Sequence, residues 1–75
     1  MNRERRTRIR KVNKRLSDCI FELECIKDEE DDAREGTPEN LQGRQSYTDS
    51  EEYSNILEDA AIDLKEISDS LKKII

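Results

Sequence analysis

The side chains in this 75-residue chain that are able to do covalent or acid–base chemistry are few. Cys19 and Cys25 are the only thiols, and there is no histidine. Six positions apart on one helix, the two sulfurs are separated by roughly 9 Å along its axis, too far for a disulfide with each other. Both are expected as reduced thiols. Cys25 has Glu22, Glu24 and Asp28 as near neighbours, whose charge disfavours the thiolate that a nucleophile needs. Cys19 falls within a stripe of apolar residues and is expected to be buried. With no imidazole to serve as base, no activated nucleophile can be assembled, and an enzyme is not expected.

The densest run of oxygens that could hold a metal is Asp28, Glu29, Glu30, Asp31 and Asp32. A calcium loop wraps its oxygens around a glycine turn, whereas these acids continue a helical pattern and so radiate in different directions. Zinc lacks a ligand set as well. No metal and no cofactor is expected.

What remains is charge, and it is segregated. Residues 1–15 hold eight Lys or Arg against one acid, Glu4, while the other sixty hold six basic and eighteen acidic side chains. The net charge of −5 conceals this dipole. Arg3, Arg6 and Arg10 share one helical face, and such an arm can neutralise several phosphates, although no aromatic residue is interleaved to stack on bases. The competing expectation is that the arm pairs with Asp63, Glu66 and Asp69 on a neighbouring helix. At the opposite end Asp28, Glu29, Glu30, Asp31, Asp32, Glu35, Glu51 and Glu52 make an acidic face suited to a basic partner surface.

These charges need elements to position them. Charged residues are 44% of the chain and hydrophobic ones 32%, so periodicity decides between helix and disorder. From Ile9 the apolar positions step by three and four through Val12, Leu16, Cys19, Leu23 and Ile26 to Glu30 and Ala33. Tyr53, Leu57, Ala60, Leu64, Ile67, Leu71 and Ile74 repeat the pattern. Each is the a/d seam of a heptad repeat. In heptad letters Ile9 and Leu57 are a positions, and Val12 and Tyr53 are d.

The two seams predict one all-α domain over residues 1–75, an antiparallel, coiled-coil-like helical hairpin. Its helices span about 3–34 and about 48–74, with a short helical turn at about 37–43. Thr37 is expected to cap that turn with Pro38 at its first position, and Gly43 to end it with positive φ. Leu41 should tuck against the corner. Thr48 and Glu51 read as a capping box for the second helix. The basic start opposes its helix dipole, which predicts fraying over residues 1–7. The register that fills the seam best sets Val12 by Leu71, Leu16 by Ile67 and Leu23 by Ala60, and brings Arg34 opposite Tyr47.

The apolar stripe is wider than two helices require. Ile20, Phe21, Ile56, Ala61 and Ile62 lie beside the seam and are expected to join two hairpins into a homodimeric four-helix bundle. No apolar run approaches the roughly 20 residues that span a bilayer, and the start lacks the apolar core of a secretory signal. No membrane partner is expected, and a cytoplasmic location is.

The turn "PENLQG" (Pro38, Glu39, Asn40, Leu41, Gln42, Gly43) with Tyr47 nearby, followed by "ILEDAAIDLKEI" over 56–67, resembles an uncharacterised group of small acidic two-helix proteins from Gram-positive bacteria and their phages. In that group a similar turn links two charged helices, the second built of "LEEAI" units. The resemblance covers about residues 23–74, departs at Arg44 and Gln45, and leaves out the basic start. It implies an origin in phage or mobile DNA and a non-catalytic accessory role, binding a host protein. An inhibitor of a nucleic-acid-processing defence enzyme, acting through the acidic faces, fits that role. The alternatives are a nucleic-acid-binding factor using residues 1–15 and a purely structural coiled coil.

Overall fold

A computed structural model of residues 1–75 shows two long helices packed against each other, joined by a short corner, with no strand. Helix α1 spans Arg3–Glu35 and helix α2 spans Gln45–Lys72. A single 3₁₀ turn at Glu39–Leu41 lies between them. The Cα envelope is a rod of 60 × 14 × 12 Å.

The start of α1 is capped by a side chain. Asn2 takes an extended conformation and its Oδ1 accepts from the Arg5 amide at 2.8 Å, satisfying one of the amides the dipole mismatch leaves exposed. The corner differs from expectation. Thr37 does not cap the turn: its hydroxyl donates back to the Ala33 carbonyl at 3.5 Å, while Gln42 Nε2 donates to the Thr37 carbonyl at 3.3 Å. Neither glycine has positive φ, so Gly43 ends nothing in a left-handed conformation. Helix α2 begins three residues before Thr48 with Arg44 as its N-cap, and Gln45 bridges to Asp49 at 2.8 Å. The expected capping box is therefore already inside the helix. Leu41 is half-buried at the corner.

The antiparallel register falls within a residue or two of the expected one: Asn13 bonds to Ser68 and Asp31 to Ser54. The seam itself is rolled. The inward residues of α1 are Ile9, Asn13, Leu16, Ile20, Leu23, Lys27, Glu30 and Arg34, and those of α2 are Tyr47, Ser50, Ser54, Leu57, Ala61, Leu64, Ser68 and Leu71. These are a and e positions. Of the d positions, Val12, Cys19, Ile26, Tyr53, Ile67 and Ile74 are exposed. Cys19, expected in the core, is thus on the surface. The physical reason lies in α2, where Ser54, Ala61 and Ser68 offer a heptad-spaced row of small side chains against which α1 can pack closely, with partners for its polar groups.

Candidate functional site

The inner face of the hairpin holds two polar layers on either side of Ile20 and Ala61, the two buried apolar residues. In the first, toward the open end, the Ser68 hydroxyl donates to Asn13 Oδ1 at 2.6 Å. The second is larger. Asp31 Oδ1 accepts from Arg34 Nη2 and from the Ser54 hydroxyl, both at 2.7 Å, and its Oδ2 accepts from Lys27 Nζ at 2.7 Å. Arg34 Nη1 in turn donates to the Ser54 hydroxyl at 2.8 Å and to the Ser50 carbonyl at 3.0 Å. Every group in this clamp has a partner, and no buried side-chain polar atom in the chain is left without one.

The clamp sets the electrostatics of the site. Lys27, then Ser54 and Arg34, hold the Asp31 carboxyl well below the usual carboxylate range. The hydrogen bond to Asp31 raises the Lys27 ammonium above its ordinary value against the opposing effect of desolvation. A fully paired polar layer of this kind fixes which residues face each other, because any slip of register strands a charge.

These residues are the ones that sequence reasoning missed. Asp31 was expected in an exposed acidic face, yet it is half-buried and committed within the hairpin. Arg34, expected opposite Tyr47, does line one cleft with it, but its guanidinium binds Ser50, Ser54 and Asp31. The available signal was the heptad spacing of Ser54, Ala61 and Ser68, which marks a face where a neighbouring helix comes close.

Of the other expected acidic contacts, Asp28, Glu29, Asp32, Glu35, Glu51 and Glu52 are exposed and Glu30 is half-buried. They surround the closed half of the rod without converging, and no three metal-competent side chains come together. Arg3, Arg6 and Arg10 are all exposed on α1. The expected pairing of the arm with Asp63, Glu66 and Asp69 is absent. Among residues 1–15 the sole ion pair is Lys14 with Asp18, one turn along the same helix.

Of the five residues expected at a hairpin–hairpin interface, Ile20, Phe21, Ala61 and Ile62 border clefts on one side of the hairpin and Ile56 does not. Ile20 and Ala61 are used up between the hairpin's own helices. Phe21 and Ile62 lie on the side where Glu24 and Lys65 make a 2.7 Å ion pair across the two helices. Ile56, a g position, is exposed beyond Tyr53 and Ala60 on the other side. In an antiparallel pair that packs through a and e, the b positions of both helices share one face and the d positions share the opposite one. Glu24 and Lys65 are b positions. The d residues Val12, Cys19, Ile26, Tyr53, Ala60, Ile67 and Ile74 therefore line the opposite face, Ala60 half-buried and the rest exposed.

No helix is long and apolar enough to cross a membrane. Comparison with protein-family models, curated proteins and solved structures finds no match to this chain.

Proposed function

We propose that this protein acts by binding and not by catalysis: two hairpins associate into a four-helix bundle, whose acidic halves engage a basic surface on a partner protein. The observation that carries the reading is the distribution of charge along the rod. Residues 19–62, the closed half, hold fourteen acidic and three basic side chains, and most of the acids are exposed. A rigid rod coated with carboxylates approximates the charge of a phosphate backbone, so a nucleic-acid-processing enzyme with a basic channel is a fitting partner. The resemblance to small acidic proteins of Gram-positive bacteria and their phages supports a defence enzyme as that partner.

The test is affinity capture from a Gram-positive bacterial lysate with three forms of the protein. A partner held by the wild type and by Arg3→Ala/Arg6→Ala/Arg10→Ala, but lost by Asp28→Lys/Asp32→Lys/Glu51→Lys/Glu52→Lys, supports the proposal. Equal capture by all three forms removes the acidic face from the account.

One observation favours a second reading. Arg3, Arg6 and Arg10 have no ion-pair partner within the chain, which leaves them free for phosphates. On that reading, labelled duplex DNA is bound with a steep salt dependence, and the triple arginine variant loses it.

A further inference from the structure

We infer that the second copy lies antiparallel on the stripe of Val12, Cys19, Ile26, Tyr53 and Ile67, with the twofold axis crossing the rod near Cys19, so that each basic arm rests beside the other copy's acidic half. The inference rests on the self-association proposed above and supplies its surface and direction.

The hairpin alone is thinly built. Its buried apolar residues are Ile20 and Ala61, and no large side chain is fully buried, whereas Val12, Ile26, Tyr53, Ile67 and Ile74 each keep 43% or more of their surface in water. In a four-helix bundle each helix touches two neighbours and needs an apolar stripe spanning a, d and e. Here a and e are spent on the hairpin partner and d is unspent.

The stripe is arranged symmetrically along the rod. Val12 and Ile26 lie one heptad on either side of Cys19. On α2, Ala60 and Ile67 flank a midpoint at Asp63–Leu64, with Tyr53 and Ile74 outside them. The Asn13–Ser68 and Asp31–Ser54 bonds fix the register, and it places that midpoint level with residues 17–21 of α1. A twofold axis there sets Val12 against Ile26 of the second copy, Cys19 against its counterpart, Ala60 against Ile67 and Tyr53 against Ile74. Each large d residue meets an apolar one.

Charge selects the direction. The open half, residues 1–18 and 63–75, holds eleven basic and five acidic side chains, against three and fourteen in the closed half. Two copies pointing the same way bring the two acidic halves together, within the roughly 8 Å over which such repulsion acts at physiological salt. Antiparallel copies put unlike halves together at both ends. Along α1 the g residues beside the stripe then pair Arg8 with Glu29 and Arg15 with Glu22 of the second copy. Asp63 of both copies flanks the axis as the one like-charged pair. The arrangement also gives the overhang a neighbour: the first turn of α1, which extends past the end of α2, comes level with Glu35 of the second copy.

Disulfide trapping and charge exchange test this, with sedimentation equilibrium run on each variant. In a Cys19→Ala/Cys25→Ala background, Val12→Cys and Ile26→Cys proteins are prepared separately. Diamide, which takes up the two thiol hydrogens as an S–S bond forms, should join them as a mixed dimer when they are combined and join neither to itself. With the native cysteines, Cys25→Ala should cross-link through Cys19 and Cys19→Ala should not cross-link. Arg8→Glu/Arg15→Glu should raise the dimer dissociation constant about tenfold, and adding Glu22→Arg/Glu29→Arg to the same chain should restore it to within about threefold. A dimer mass with Val12→Cys joined to itself, or with no charge rescue, overturns the direction while leaving self-association standing. A monomer mass at every concentration overturns both.

Discussion

The hydroxyl of Ser68 donates a 2.6 Å hydrogen bond to Oδ1 of Asn13, joining two buried side chains that are 55 residues apart in the chain. With the Asp31, Ser54 and Arg34 clamp farther along, it sets how the helices face each other. Because a and e positions meet within the hairpin, the apolar d positions are left outside, and the case for a second copy follows from that one rotation.

Ser68→Ala should destabilise the hairpin by about 1–3 kcal/mol, the cost of leaving the Asn13 carbonyl buried without a donor. Asn13→Leu/Ser68→Ala, which removes both polar groups, should recover most of the loss. Urea unfolding at one fixed protein concentration measures this, because association shifts apparent stability with concentration. A double variant no more stable than the single one contradicts the role given to the bond.

The clamp predicts a particular response to acid. Asp31 is held below its ordinary value, so its contribution is present above the unfolded carboxylate pKa of roughly 4 and is lost as pH falls from there toward the lower folded value. Lys27 is raised, so its contribution is complete below the ordinary lysine value and fades only as pH climbs through the higher folded one. Asp31→Asn should therefore be less stable than the wild type at neutral pH, and should lose less stability between about pH 5 and about pH 2. Thermal unfolding curves that run parallel for the two proteins across that window would count against the clamp.

Glycine is not required at the corner. Neither Gly36 nor Gly43 has positive φ, a Cβ on Gly43 meets nothing within 4 Å, and one on Gly36 lies 3.6 Å from the Ala33 carbonyl oxygen, an ordinary contact. Gly43→Ala and Gly36→Ala should each leave stability unchanged or raise it by up to about 1 kcal/mol through the unfolded chain. A loss above about 1 kcal/mol at Gly43 would restore the left-handed turn that the sequence suggested.

Much of this architecture is written in the periodicity. Two heptad runs flanking "GTPENLQG" specify two helices and a reversal, and matching apolar residues across them gives nearly the right register. The face that turns inward is harder to read, because in α1 the d positions Val12, Cys19 and Ile26 are more apolar than the e positions Asn13, Ile20 and Lys27. Hydrophobicity alone favours d. What reverses the choice is pairwise: Asn13 needs Ser68, and Asp31 and Arg34 need Ser54, and such partnerships cannot be seen along one helix. The same limit hid the true position of Asp31, whose neighbours in sequence suggest a solvated acidic cluster. Thr48 and Glu51 carry a capping pattern, yet α2 begins three residues earlier, at Gln45, with no side-chain cap to mark it.

The mass of the protein in solution tests the second copy most directly. Sedimentation equilibrium over a wide concentration range should give twice the 8.8 kDa chain mass for the wild type, and the chain mass alone for Ile26→Asp/Ile67→Asp with its helical circular dichroism retained. A wild type that stays monomeric throughout, or a double variant that still dimerises, would contradict it.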